Sequence, residues 1–465
     1  MRGLASLAMV FLCAAPVAGQ EEHVSTPGSI EGRPAAAVVS ALQPRIDAAR
    51  PGERLVVSAG TYRGDLIIDK PLTLTGEGRP LLVGSGTGSV VRIRAADVTI
   101  DGFDIDGRGG GDLGRDTSGI HVAAPRATIR NCHIVRALFG IYLREAPGSA
   151  VERNTIHGVP GLEPGEKGSG IHVWNTDGFR LVGNRIVDAR DGIYIQSSPH
   201  GFVAKNVASN LRYGLHYMFS DDNVFEDNVF EHAAAGTALM YSKRLVFGRN
   251  QFLHNRGFAS VGLLFKACDD VLAEDNLIAD NARGIFLEGS SHSVFRRNVI
   301  AESDTAIVQY DSCSRIRIED SSFVMNLTPL TLVGRRTDTV FARNYWSDNR
   351  EPDLDGDGFA DRPYRLSNVF DHLRGNLTAA DLFAQGFAAE ALAAAEETFP
   401  VLAPIPVLDA SPRVRPPDLP AVPVPAREGR SLNAAGALVS LGALGLGVTL
   451  LSGPLRRRPG KGVPS

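Results

Sequence analysis

Along most of the chain, apolar and polar residues alternate in short bursts with a period of two, and each burst ends in a polar turn cluster. Gly192-Ile193-Tyr194-Ile195, followed after a turn by Asn206-Val207, is one such unit. Successive side chains of a strand face opposite sides, so the pattern predicts strands, not helices. The bursts repeat. Asn131, Asn154, Asn184, Asn206, Asn228, Asn250, Asn276 and Asn298 mark one position, Asp320 takes the next place and Asn344 closes the series, with 22 residues as the commonest interval. Gly119, Gly140, Gly170, Gly192, Gly214, Gly236, Gly262 and Gly284 run alongside, then Ala306, and from Gly to Asn is fourteen residues in every unit except the first. Such a period means a solenoid. Rungs of short strands and turns predict an all-β protein, a right-handed single-stranded parallel β-helix of about ten rungs, about 4.8 Å apart, from Leu55 to Trp346. A corner Asn can pass hydrogen bonds from its amide up the stack and tolerates left-handed backbone, so the ladder Asn184, Asn206, Asn228, Asn250, Asn276 and Asn298 is assigned a structural role.

Shorter coils are expected ahead of the regular rungs, at Leu72-Thr73-Leu74, Val90 to Ile93 and Val98 to Ile105. An amphipathic helix over Pro34 to Ala49 is expected to cover the open first rung, and a second over Thr378 to Glu397 the far end, because an open end is an exposed strand edge. Two rungs are longer than the rest, with insertions at His157 to Ser169 and Leu253 to Val261 that leave one corner four rungs apart. Insertions on one edge of a solenoid usually border its binding surface.

The ends point to location. Met1-Arg2, the apolar run Leu4 to Ala15 and the small residues Ala18-Gly19 read as a secretory signal peptide over residues 1–19. The β-helix is assigned to 35–350, an Asp-rich loop and capping helix to 351–399, and a proline-rich linker to 400–430. Ala434 to Leu451 carries no charge and precedes Arg456-Arg457-Arg458 and Lys461. Residues 431–455 therefore read as a transmembrane helix with a cytoplasmic basic tail at 456–465, or alternatively as a Gly/Ala-rich helix packed on protein or trimmed as a sorting tail. The expected location is the periplasm, with anchoring to the inner membrane.

Composition narrows the classes. With 465 residues, 43% hydrophobic and 22% charged, the chain is long enough for a sizeable core. A net charge of −4 gives no polyanion-binding signature and excludes nucleic acid as the partner. Beyond Cys13, which lies in the signal segment, Cys132, Cys268 and Cys313 are an odd set without C-x-x-C spacing, so neither a disulfide scaffold nor a zinc ribbon is expected.

With the residues one and three after each Gly apolar and inward, those two and four after it point outward. This face is rich in His and aromatic residues: His172, Trp174 and Tyr194 make a candidate binding surface. Met218 and Met240 share a register in adjacent rungs, with His216 two residues before Met218; two thioethers and an imidazole suit a soft ion such as Cu(I). The same stripe also suits docking of another protein. A second cluster, Asp353, Asp355, Asp357 and Asp361 with Gly358 at the sixth position, matches the first part of a Ca²⁺ loop, although Tyr364 stands where the bidentate Glu is needed; a plain Asp/Gly turn is the alternative. Catalysis on an acidic polysaccharide needs paired carboxylates, and the outward positions hold only Glu288, beside Lys266. No catalytic residues are assigned, while Glu163 and Glu166 on the first insertion leave a polysaccharide-binding or pectate-lyase-like cleaving protein as the alternative.

These residues resemble a known family. Gly60-Thr61-Tyr62, Lys70-Pro71-Leu72-Thr73-Leu74, Gly76-Glu77-Gly78, Gly214-Leu215-His216-Tyr217-Met218, the stretch from Asn344-Tyr345-Trp346 to Pro363-Tyr364, and Ala395-Glu396 before Phe399-Pro400 are similar to the NosD family, periplasmic maturation proteins of nitrous oxide reductase. The resemblance spans about residues 35 to 420. It implies a non-enzymatic protein working with an ABC transporter permease and ATPase and a copper chaperone to assemble the reductase's copper-sulfur centre.

Overall fold

The computed structural model describes residues 39–366 other than 258, residue 391, and residues 407–417. The chain is all-β and winds as a right-handed parallel β-helix. One face is a 15-stranded sheet; setting aside its last two strands, Tyr364–Arg365 and Leu408–Asp409, leaves thirteen successive coils, from Arg54–Val57 to Val340–Ala342. The sequence predicts about ten. The first three coils, through Arg54–Val57, Thr73–Gly76 and Thr99–Asp101, lie ahead of the Asn series, where shorter coils are expected from the sequence.

The other faces join in a 24-stranded sheet, because Val207–Met218 and Val229–Lys243 run through a corner without a break. Inside, like residues stack on like: Phe225 lies on Phe247 at 4.5 Å and Phe323 on Trp346 at 4.1 Å between ring centroids. Cys132, Cys268 and Cys313 are buried and unpaired.

The Asn ladder is buried and continuous. Asn206 Oδ1 accepts from both the backbone N–H and Nδ2 of Asn184 at 2.9 Å, while its own Nδ2 donates to the Leu181 carbonyl at 3.0 Å. The same set recurs at Asn228, Asn250, Asn276 and Asn298. Three details differ from the sequence reading. Left-handed backbone falls on the residue before each Asn, with Arg153, Lys205, Asp227, Arg249, Asp275 and Arg297 at φ of 51–58°. Asn131 takes that outer place, and the N–H of Cys132 reaches Asn154. After Asn298 the next member is Ser321, not Asp320, because this rung is one residue longer. Hydroxyls form a second ladder, in which the N–H groups of Thr176, Ser198 and Ser220 donate to Ser198, Ser220 and Ser242 at 2.9–3.0 Å.

At the N-terminal end the expected helix is shorter, Gln43–Ala48 behind the strand Val39–Ser40, with Leu42 and Ile46 buried in the common core. At the far end, residues 407–417, within the span read as a linker, are docked. Asp409 Oδ2 accepts from the N–H and Nδ2 of Asn344 at 3.0 and 2.9 Å and from Trp346 Nε1 at 3.2 Å, ending the ladder. The signal segment, the helix expected over residues 378–397 apart from residue 391, the span at 431–455 and the basic tail lie outside the described residues. Among the described residues no helix is long and apolar enough to cross a membrane.

Candidate functional site

The outward face has the register expected from the Gly series. Tyr142, His172, Tyr194, His216 and Ala238 are partners across successive rungs, and so are Arg144, Trp174, Gln196, Met218, Met240, Lys266 and Glu288. His157 and Leu253, where the two insertions leave, also share a register through Val187, Ser209 and Glu231.

Burial is where the face departs from expectation. Neighbouring rings pack on one another, Tyr142 with His172 at 4.4 Å, His172 with Tyr194 at 4.4 Å and Tyr194 with His216 at 4.7 Å. Tyr142 and Tyr194 are consequently buried, and burial pushes the His172 imidazole down to about 3, with its Nδ1 lacking a hydrogen-bond partner. A strand face normally faces water; here each ring is the next ring's solvent shield. Trp174 is capped by the Arg144 guanidinium at 5.0 Å.

His216 is held from behind by Asp191, a residue the sequence reading passed over. Asp191 is fully buried; it accepts from Arg212 Nε and Nη2 at 2.9 and 2.8 Å and lies 3.3 Å from His216 Nδ1. Burial pushes the Asp191 pKa up, yet the hydrogen bonds from His216 and Arg212 outweigh it and hold it at about 2. Arg212 is also 3.4 Å from the same His216 nitrogen, but its fork is committed to both Asp191 oxygens. A carboxylate only accepts, so it is a hydrogen on Nδ1 that His216 offers to Asp191. The signal was visible in sequence as Arg190-Asp191 ahead of Gly192, with Arg212 one rung on.

Met218 and Met240 are strand partners, half-exposed. Each is followed by an aromatic residue in the left-handed region, Phe219 at φ 50° and Tyr241 at φ 54°; the two rings stack at 5.1 Å and are 53% and 47% exposed. Bulky side chains seldom adopt that backbone. Two thioethers and an imidazole thus stand on one outward face, with Asp191 behind them paired to Arg212 and 3.3 Å from Arg190. Thioether and imidazole are donor types that favour Cu(I) over a harder divalent ion.

The outward and loop carboxylates singled out in the sequence have partners in the structure. Glu288 is paired with Lys266 at 2.9 Å, and Glu166 accepts from the Glu163 N–H at 3.2 Å within its own loop. In the other cluster, carboxylate oxygens of Asp353, Asp355 and Asp357 lie within 4.8 Å of one another. Asp353 accepts from the N–H of Gly356 and Gly358 at 2.6 and 2.9 Å, and these backbone donors lower its pKa. Asp361 instead accepts from the Leu354 N–H at 2.7 Å, and Tyr364 donates its hydroxyl to Asp348.

Residues 159–375 match the family model described as periplasmic copper-binding protein (NosD). A Pseudomonas aeruginosa protein described as a probable ABC transporter binding protein NosD is 33% identical over 141 residues, 30% of this chain and 33% of that one. Its counterpart from Stutzerimonas stutzeri is 31% identical over 168 residues, 36% of this chain and 37% of that one. The matched stretch thus spans about a third of the length of the curated relatives. Among solved structures, the A-module of a mannuronan C-5 epimerase from Azotobacter vinelandii superposes with a TM-score of 0.56 at 14% identity, covering 68% of this chain and 98% of that one. An alginate lyase in complex with G6 gives 0.53 at 13%, covering 66% and 84%. At these identities the likeness is one of fold.

Proposed function

We propose that this chain, a member of the NosD family through residues 159–375, is a non-enzymatic periplasmic protein that carries copper for assembly of the nitrous oxide reductase centre. It works beside an ABC transporter permease and ATPase and receives the ion from a copper chaperone. Support for the transporter comes from the relatives' descriptions, and support for copper from that of the family.

The observation that carries the reading is the register that sets Met218 opposite Met240 on the face holding His216, whose Nδ1 is turned to Asp191. Thioethers bind without losing a proton and release without regaining one, which suits an ion that must be handed on. The neutralised Asp191 adds no net charge to hold a hard cation. The loop of Asp353, Asp355, Asp357 and Asp361 is proposed as a Ca²⁺ site that stiffens the end of the solenoid. Attachment to the inner membrane is proposed through residues 431–455 or through the permease.

The test is titration of the full chain with Cu(I) against a competing chelator. One ion per chain, with at least tenfold weaker binding in Met218→Leu/Met240→Leu, is the expected result. Equal affinity in that variant would sink the assignment.

A further inference from the structure

The outward face has a second chemistry at its N-terminal end. Arg92 pairs in register with His121, and Ala123 separates Arg94 from Arg144 in the next outward column. A side chain as short as Ala leaves a gap there. The result is a cleft of about 210 Å³ lined by Arg92, Arg94, Arg115 and Arg144, with His121 and one carboxylate, Asp116. Arg94 and Arg144 stand two rungs apart, about 10 Å at Cα, which lets two guanidinium forks close on one group between them.

The charges there are unbalanced. Asp116 is 3.2 Å from Arg144, whose guanidinium also covers Trp174. Arg115 faces Asp112 at 3.5 Å with both side chains mostly in water, a pairing of little strength. Arg92 and Arg94 have no carboxylate within 4.0 Å among the described residues. Several surface arginines of this chain are paired, as Arg126 is with Asp97, Arg244 with Asp222 and Arg249 with Asp227. Arg92 and Arg94, without such a partner, border the same cleft.

We propose that this cleft binds a compact oxyanion, a phosphate or carboxylate group, between Arg92, Arg94 and Arg144. Its volume is below that of sites for drug-sized ligands, so it takes one anionic group at a time. Arginine is suited to this because its planar fork donates two parallel hydrogen bonds to such a group. The group comes either from a free ion or from an acidic side chain of a docking protein. Nothing in the inference depends on copper, since Arg144 lies three rungs, about 14 Å, from Met218.

Calorimetric titration of the full, metal-free chain tests it, at ionic strength fixed with sodium chloride. Inorganic phosphate and a tetraglutamate peptide are the probes. Saturable binding of phosphate identifies a free ion as the source, and saturable binding of the peptide alone identifies protein carboxylates; either supports the site. Arg94→Gln/Arg144→Gln is expected to weaken binding at least tenfold with an unchanged melting temperature, both side chains being exposed, while Met218→Leu leaves it unaltered. No saturation with either probe, or an isotherm unchanged in the arginine double variant, would overturn the proposal.

Discussion

Asp191, without exposed surface, lies 3.3 Å from Nδ1 of His216 and engages that ring nitrogen. It also neutralises Arg212, accepting from Nε and Nη2 of its guanidinium. One buried carboxylate thus sets the orientation and the electrostatics of the candidate copper donor.

Asp191→Asn keeps the shape but loses the charge opposite Arg212. A charged hydrogen bond is worth about 1.5–3 kcal/mol, so a loss of about 2 kcal/mol is expected by denaturant unfolding. Cu(I) affinity is expected to fall as well, and by less when His216 is already replaced by Ala. Independent effects of the two substitutions would mean that Asp191 does not act through the imidazole.

His172 makes stability pH-dependent. Its pKa is near 6.5 when unfolded and is depressed to about 3 by burial in the folded chain. Below pH 6.5 the unfolded state takes up a proton that the folded state refuses, so stability is expected to fall as pH drops from 6.5 toward 3. His172→Phe keeps the ring stack and removes the unpartnered Nδ1, so it should gain about 1 kcal/mol at pH 7 and flatten that slope. Melting curves at pH 7 and pH 5 read both effects.

The two kinds of Asn separate in stability. Asn228→Ala leaves buried partners on both sides of its rung unpaired and is expected to cost about 3–5 kcal/mol. Asn131, in the outer left-handed position, bonds side chains at the surface; Asn131→Ala should cost about 1 kcal/mol or less. Similar losses in urea unfolding would refute the one-residue offset between them.

Calcium should raise the melting temperature through the Asp353 loop. A ligand at a hundredfold excess over its Kd stabilises by about 2.7 kcal/mol. Addition of Ca²⁺ after chelator treatment should restore the shift in the parent and not in Asp353→Asn/Asp355→Asn; a parent insensitive to both would leave an ordinary turn.

Most of the solenoid was legible in the sequence because a β-helix repeats its constraints every 22 residues. Gly192 and Gly214 mark where backbones approach closely, and the outward register of His216, Met218 and Met240 follows by counting. Counting fails where a rung changes length, which is why Asp320 stood in for Ser321. It also fails for burial: alternation says that Tyr194 points outward, but not that His172 covers it. Asp191 escaped because it precedes the Gly from which the outward positions are counted, and its role arises from an arginine 21 residues later.

The bond from Asn344 to Asp409 has a kinetic consequence. Every other step of the ladder is completed by a residue one coil away, whereas this one waits for a partner 65 residues downstream. Closing so long a loop carries more entropy than closing a 22-residue coil, and a repeat array opens one unit at a time from its weaker terminus. Fraying should therefore begin at Asn344 and Trp346 and travel toward Asn298, and amide exchange should report it as a gradient of protection along the axis.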